Sequence, residues 1–161
     1  MERLAPLLTM KNRRLYQLAA LARRDARFSA GTQMFAVAVT ATEMQFRPFW
    51  HRLVEYTYVL SLILLGKDAG PISVGVSQIS IRHFVSLEGA NQFQSLLWAM
   101  SARKSLVTCC KIIEAMDAEN LNDVRVAYNG ESTLYYRKAL QQNFDLLQEL
   151  NARRASPKDL Q

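Results

Sequence analysis

Apolar residues recur along this chain mostly at steps of three and four, and only briefly at steps of two. Leu4, Leu7, Leu8, Leu15, Leu18, Ala19 and Ala22 make one stripe with arginines opposite, which predicts an amphipathic helix over 4–22 docked on a larger body. A second helix is predicted from Ser29, whose hydroxyl suits an N-cap, through Met34, Phe35 and 37–39 to Glu43. It is apolar nearly all round and therefore belongs at the centre. Pro48 suits the first turn of a third helix over 49–65, with Gly66 as its stop. Its apolar run from Val59 to Leu65 is too short to cross a bilayer and predicts a buried segment. After a loop at 66–71, Ile72, Val74, Val76, Ile79 and Ile81 look extended, interrupted by Gly75 and the polar Ser77-Gln78. At most a vestigial β-hairpin follows near 72–81. Two more helices are predicted over 89–100 and 105–116, then a short one over 121–128 and a last one capped by Ser132 and running to Leu150.

Half of the 161 residues are hydrophobic, enough for one core of ordinary size, and with only six glycines and four prolines the composition favours helix over sheet. The expected fold class is mainly α, with a basic N-terminal helix at 1–28, a body at 29–150 and a frayed tail at 151–161. The formal net charge is +6, and residues 1–27 carry seven bases (Arg3, Lys11, Arg13, Arg14, Arg23, Arg24, Arg27) against Glu2 and Asp25. Such a field draws nucleic acid, anionic lipid and wall polymers alike, so charge alone selects no partner. Cys109 and Cys110 are adjacent in an apolar stretch and read as reduced packing residues, since a bond between neighbours strains the backbone. His51 and His83 stand apart from any cysteine pair at ligand spacing, so no metal and no cofactor is expected. The first eight residues lack the long apolar core of an export signal, and no transmembrane segment is predicted.

Glu43 is the residue with the most chemical promise. Cleaving a glycosidic bond needs a proton delivered to a poor leaving group, from an acid that holds it above the usual carboxyl pKa of about 4.3. An apolar helix desolvates the carboxylate, and a helix C-terminus disfavours a second negative charge, so both predict a raised pKa for Glu43. The plain alternative is a solvated helix end with Arg47, four residues on, as an exposed ion partner.

Two further signatures follow Glu43: Gly75-Val76-Ser77-Gln78 and Ala127-Tyr128-Asn129-Gly130. In that order the three resemble the soluble lytic transglycosylases and their lysozyme-like relatives, over roughly Ser29 to Leu140. The resemblance implies a lysozyme-like body and a single-acid mechanism on peptidoglycan glycan strands. Glu43 would protonate the oxygen between N-acetylmuramic acid and N-acetylglucosamine, then help the muramyl 6-hydroxyl close onto C1. Tyr128 would orient Glu43, Gln78 and Asn129 would hold substrate amides or hydroxyls, and Ser73 or Ser77 would add a donor. No aspartate lies just beyond Glu43 to serve as a second acid, although Glu55 and Asp68 stay open as partners.

Two other functions are compatible with the chain. A muramidase of the phage endolysin type would hydrolyse the same bond with water, and the absence of an export signal suits cytoplasmic synthesis with release to the wall or another non-classical delivery. A basic helical adaptor gripping phosphates would need only the arginines, but no nucleic-acid-binding signature accompanies them and nucleic acid is not an obligatory partner. The oligomeric state is left open.

Overall fold

A computed structural model of the chain describes residues 10–118, 120–124 and 134–155. It is mainly helical, with one two-stranded antiparallel sheet among the described residues. The first helix, α1 (Met10–Ala22), buries Leu15, Leu18, Ala19 and Ala22 and leaves Arg13 and Arg14 exposed, as that part of its stripe predicts; Leu4, Leu7 and Leu8 lie outside the described residues. Next comes α2 (Ala30–Phe46), where the Ser29 hydroxyl accepts from the Thr32 N–H. Every residue from Phe35 to Thr40 is buried, so α2 has no solvent face over that span. It packs against α1, against α6 (Ala102–Ala115) and most extensively against α7 (Leu134–Ala155). The α2–α7 seam combines a stack of Phe35 on Phe144, 5.2 Å between ring centroids, with a polar chain. In that chain Gln45 donates to Asn143 at 3.0 Å and Asn143 donates to the Thr42 hydroxyl at 2.9 Å. Asn143 is buried, so the chain satisfies an amide that would otherwise be costly to bury.

Pro48 is the N-cap of α3 (Phe49–Leu64), and Gly66, at φ +65°, follows its end. The expected burial of this helix is corrected by its surface. Val59 is its one buried residue, whereas Trp50 is 72% and Leu64 75% exposed. Hydropathy reports what a helix could bury, while burial depends on what packs against it. The helix meets α5 (Gln92–Met100) and the first strand, which cover one side only.

The hairpin pairs β1 (Ser73–Val74) with β2 (Ile79–Ser80), Ser73 opposite Ser80 and Val74 opposite Ile79. Ile81 was expected to continue the extended segment; instead it opens α4 (Ile81–Glu88), which buries Ile81 and Phe84 at helical spacing. Gly89, at φ +65°, ends α4; Asn91 and Gln94 form a capping box for α5, and Ser101 caps α6. Cys109 and Cys110 are free and buried in α6, and burial pushes the Cys110 thiol pKa up to about 12. A helical turn at 121–124 is the described part of the short helix expected over 121–128. Of the tail expected to fray at 151–161, residues 151–155 continue α7, with the Asn151 side chain accepting from Arg23 and donating to Met34 Sδ at 3.2 Å, and 156–161 lie outside the described residues. Among the described residues, no helix is long and apolar enough to cross a membrane.

Candidate functional site

Glu43 lies in the last turn of α2, where the apolar helix and the Tyr136 ring leave it only 7% exposed. The Tyr136 hydroxyl donates to Glu43 Oε1 at 2.8 Å. Tyr136 comes from the first turn of α7 and rests its ring on Phe46, 5.7 Å between centroids, so both ends of the contact are braced. Burial raises the Glu43 pKa above its ordinary 4.5; the Tyr136 hydrogen bond and the charges of Arg47 and Arg52 oppose that rise, and the charge of Glu55 adds to it. The upward direction was expected from the apolar helix. A solvated helix end, the alternative reading, does not describe this carboxyl.

Arg47 is also not the ion partner that its spacing suggested. The chain leaves helical geometry at Arg47, with φ −122° and ψ 93°, and its backbone N–H still caps the Glu43 carbonyl at 3.0 Å. Its guanidinium turns to Glu55 on α3 and pairs with Oε1. The other Glu55 oxygen, Oε2, accepts from Gln78 Nε2 at 2.9 Å, and the same nitrogen donates to the Gly75 carbonyl at 3.1 Å. Arg52, on α3, donates through Nη2 to the Arg47 carbonyl at 2.9 Å. Burial lowers its pKa, and the charge of Arg14 on α1 adds to that lowering. Two buried polar atoms here have no hydrogen-bond partner among the described residues, Arg52 Nε and Gln78 Oε1. Unsatisfied buried groups are rare, and a donor and an acceptor in one network mark a place where structure alone does not explain the side chains.

Gln78 reaches this network because the turn of the hairpin is tight. Gly75 has φ +88° and Gln78 φ +51°, both left-handed. Gly75 also lies against α5 so closely that a Cβ would sit 2.5 Å from the Ala99 carbonyl oxygen. The reading of Gln78 as a candidate binding residue therefore places it beside Glu55, whose charge acts on Glu43. Ser77 serves the fold instead: its buried hydroxyl meets Thr40 of α2 at 2.8 Å, and its N–H donates to Ser105 of α6 at 3.3 Å. Ser73 is half-buried in β1, and among the described residues no hydrogen bond joins its side chain to Glu43, Glu55 or Gln78. Tyr128 and Asn129 lie outside the described residues. Asp68 is turned to Gly70 and Gln92, at 2.8 and 3.0 Å, and supports the loop before the hairpin.

Tyr136 is the functional candidate that the sequence reading missed. Its signal was present, since Tyr136, Leu140, Asn143 and Leu147 recur at four, three and four residues and are all buried. Two cavities lie elsewhere, one of about 560 Å³ between α1, α2 and α7 and one of about 400 Å³ lined by Leu15, Leu18, Ala41, Met44 and Asn143. Glu43 lines neither; residues 41, 44 and 45 of α2 point away from it by helical periodicity. Among the described residues no group of three or more His, Cys, Asp or Glu side chains could hold a metal ion. Compared with protein-family models, curated proteins and solved structures, the chain has no significant match.

Proposed function

We propose that the protein cleaves peptidoglycan as a lytic transglycosylase, with Glu43 as its one acid and base. The observation that carries this reading is a buried carboxyl whose proton affinity is raised, held by a neutral phenol rather than by a cation. An acid so placed retains a proton to give, which an exposed or salt-bridged glutamate does not. Tyr136 engages Oε1, so among the described residues Oε2 is the oxygen left to carry the proton. That proton would pass to the oxygen linking N-acetylmuramic acid to N-acetylglucosamine as the bond from C1 to that oxygen breaks. The resulting carboxylate would then take the proton of the muramyl 6-hydroxyl as its oxygen bonds to C1. Glu43 ends protonated, and the product ends in a 1,6-anhydro ring. The order of Glu43, the Gly75–Gln78 turn and the Ala127–Gly130 signature supports the choice of substrate through the resemblance.

Hydrolysis of the same bond is the second reading, favoured by Glu55 as a second carboxylate whose charge acts on Glu43. Mass spectrometry of muropeptides released from purified sacculi separates the two. Transglycosylation yields ends lighter by one water than the reducing ends of hydrolysis, and release of no muropeptide at all would refute both readings.

A further inference from the structure

Arg47 follows Glu43 by four residues as the C-cap of α2, a spacing at which an arginine on a continuing helix would reach the glutamate. It does not do so here. Its guanidinium crosses the bend at Pro48 to Glu55, and Glu55 is itself anchored on its other side by Gln78 of the hairpin turn. Among the described residues, Glu43 is left with the Tyr136 hydroxyl as its side-chain hydrogen bond. We propose that Glu55 is a positioning residue that holds Arg47 away from Glu43, so that the acid keeps a neutral partner. This rests on the reading of Glu43 as a proton donor, and it adds a function for a residue on α3 that the transglycosylase resemblance does not assign.

Glu43 and Glu55 compete for the Arg47 guanidinium. A guanidinium turned to pair with Glu55 presents fewer of its N–H donors to Glu43, and a cation bound to Glu43 would favour its ionised form. Glu55 wins because Gln78, whose Nε2 also donates to the Gly75 carbonyl, donates to its Oε2 and orients it, and because α3 presents it across from the end of α2. The groups acting on Glu43 are Arg47 from α2, Glu55 and Arg52 from α3, and Tyr136 from α7. Arg52 directs its Nη2 to the Arg47 carbonyl and makes no hydrogen bond to Glu43. Arg47 is thus the cation whose redirection changes what Glu43 meets.

The test is a titration of Glu43 in the full chain, followed by the carbon signal of its carboxyl in glutamate-labelled protein, with Glu43→Gln assigning the resonance. Glu55→Gln is expected to shift the Glu43 midpoint to lower pH, as Arg47 is released and a negative neighbour is lost. Arg47→Met in addition to Glu55→Gln is expected to bring the midpoint back up, above that of the single variant. A midpoint that does not fall in Glu55→Gln, or one that falls and stays down when Arg47 is also removed, overturns the proposal. Arg47→Met alone controls for folding and is expected to raise the midpoint; a fall there also overturns it. The readout needs no substrate, so these outcomes are separate from whether sacculi are cleaved.

Discussion

At the scale of single residues, Glu43 decides most of what this protein can do, and its burial has a thermodynamic consequence independent of any substrate. The folded protein binds the Glu43 proton more tightly than the unfolded chain, so stability from this group is complete below the ordinary carboxyl value of 4.5. It is lost as pH rises from there through the higher folded value, because ionising a buried carboxyl opposes its environment. Glu43→Gln keeps an oxygen for Tyr136 to donate to and removes the charge. Melting curves are expected to show the variant more stable than wild type at neutral pH and no more stable at about pH 4, where both are neutral. An equal difference at both pH values would mean that Glu43 is not desolvated. Tyr136→Phe removes the hydrogen bond that favours the ionised form, so the Glu43 midpoint should rise further in the same titration.

At the scale of elements, the hairpin turn is the most constrained piece of backbone near the site. Gly75 combines a left-handed conformation with contact against the α5 backbone, so Gly75→Ala meets two penalties at once. We expect a loss of at least about 2 kcal/mol in a denaturant unfolding curve, and displacement of Gln78 from Glu55. A loss below about 0.5 kcal/mol would contradict this packing. Much of this level was legible beforehand. The stripes of α1 and the all-apolar α2 were plain in the pattern of positions, as were the Ser29 cap, Pro48 and the hairpin at 72–81. The omission of α4 has a local cause: Ile79 and Ile81 alternate like a strand, yet Ile81 and Phe84 also stand one helical turn apart. A two-residue strand is too short for period to settle where it stops. The Arg47–Glu55 pair was hidden for a different reason. Its members are eight residues apart, one at the C-cap of α2 and one on α3, and only the bend at Pro48 sets them side by side.

At the scale of the molecule, the central placement of α2 is what joins the parts. It receives α1, α6 and α7 on its sides and carries Glu43 to the end nearest α3 and the hairpin. The outer side of α3 has no such partner among the described residues, and Phe49, Trp50, Val54, Leu64 and Leu65 are exposed there. Side chains that are already in water contribute little to folding. Replacing Trp50, Val54 and Leu64 together by glutamine is therefore expected to change unfolding free energy by no more than about 1 kcal/mol while reducing binding of a hydrophobic dye. A large loss of stability would show that this surface is packed in solution.

The most direct measurement is the rate at which purified sacculi lose turbidity with wild-type protein and with Glu43→Gln, both folded by the same melting criterion. A single buried acid predicts loss of nearly all activity in the variant, with shape and hydrogen bonding kept and the transferable proton gone. Equal rates for the two proteins would contradict it.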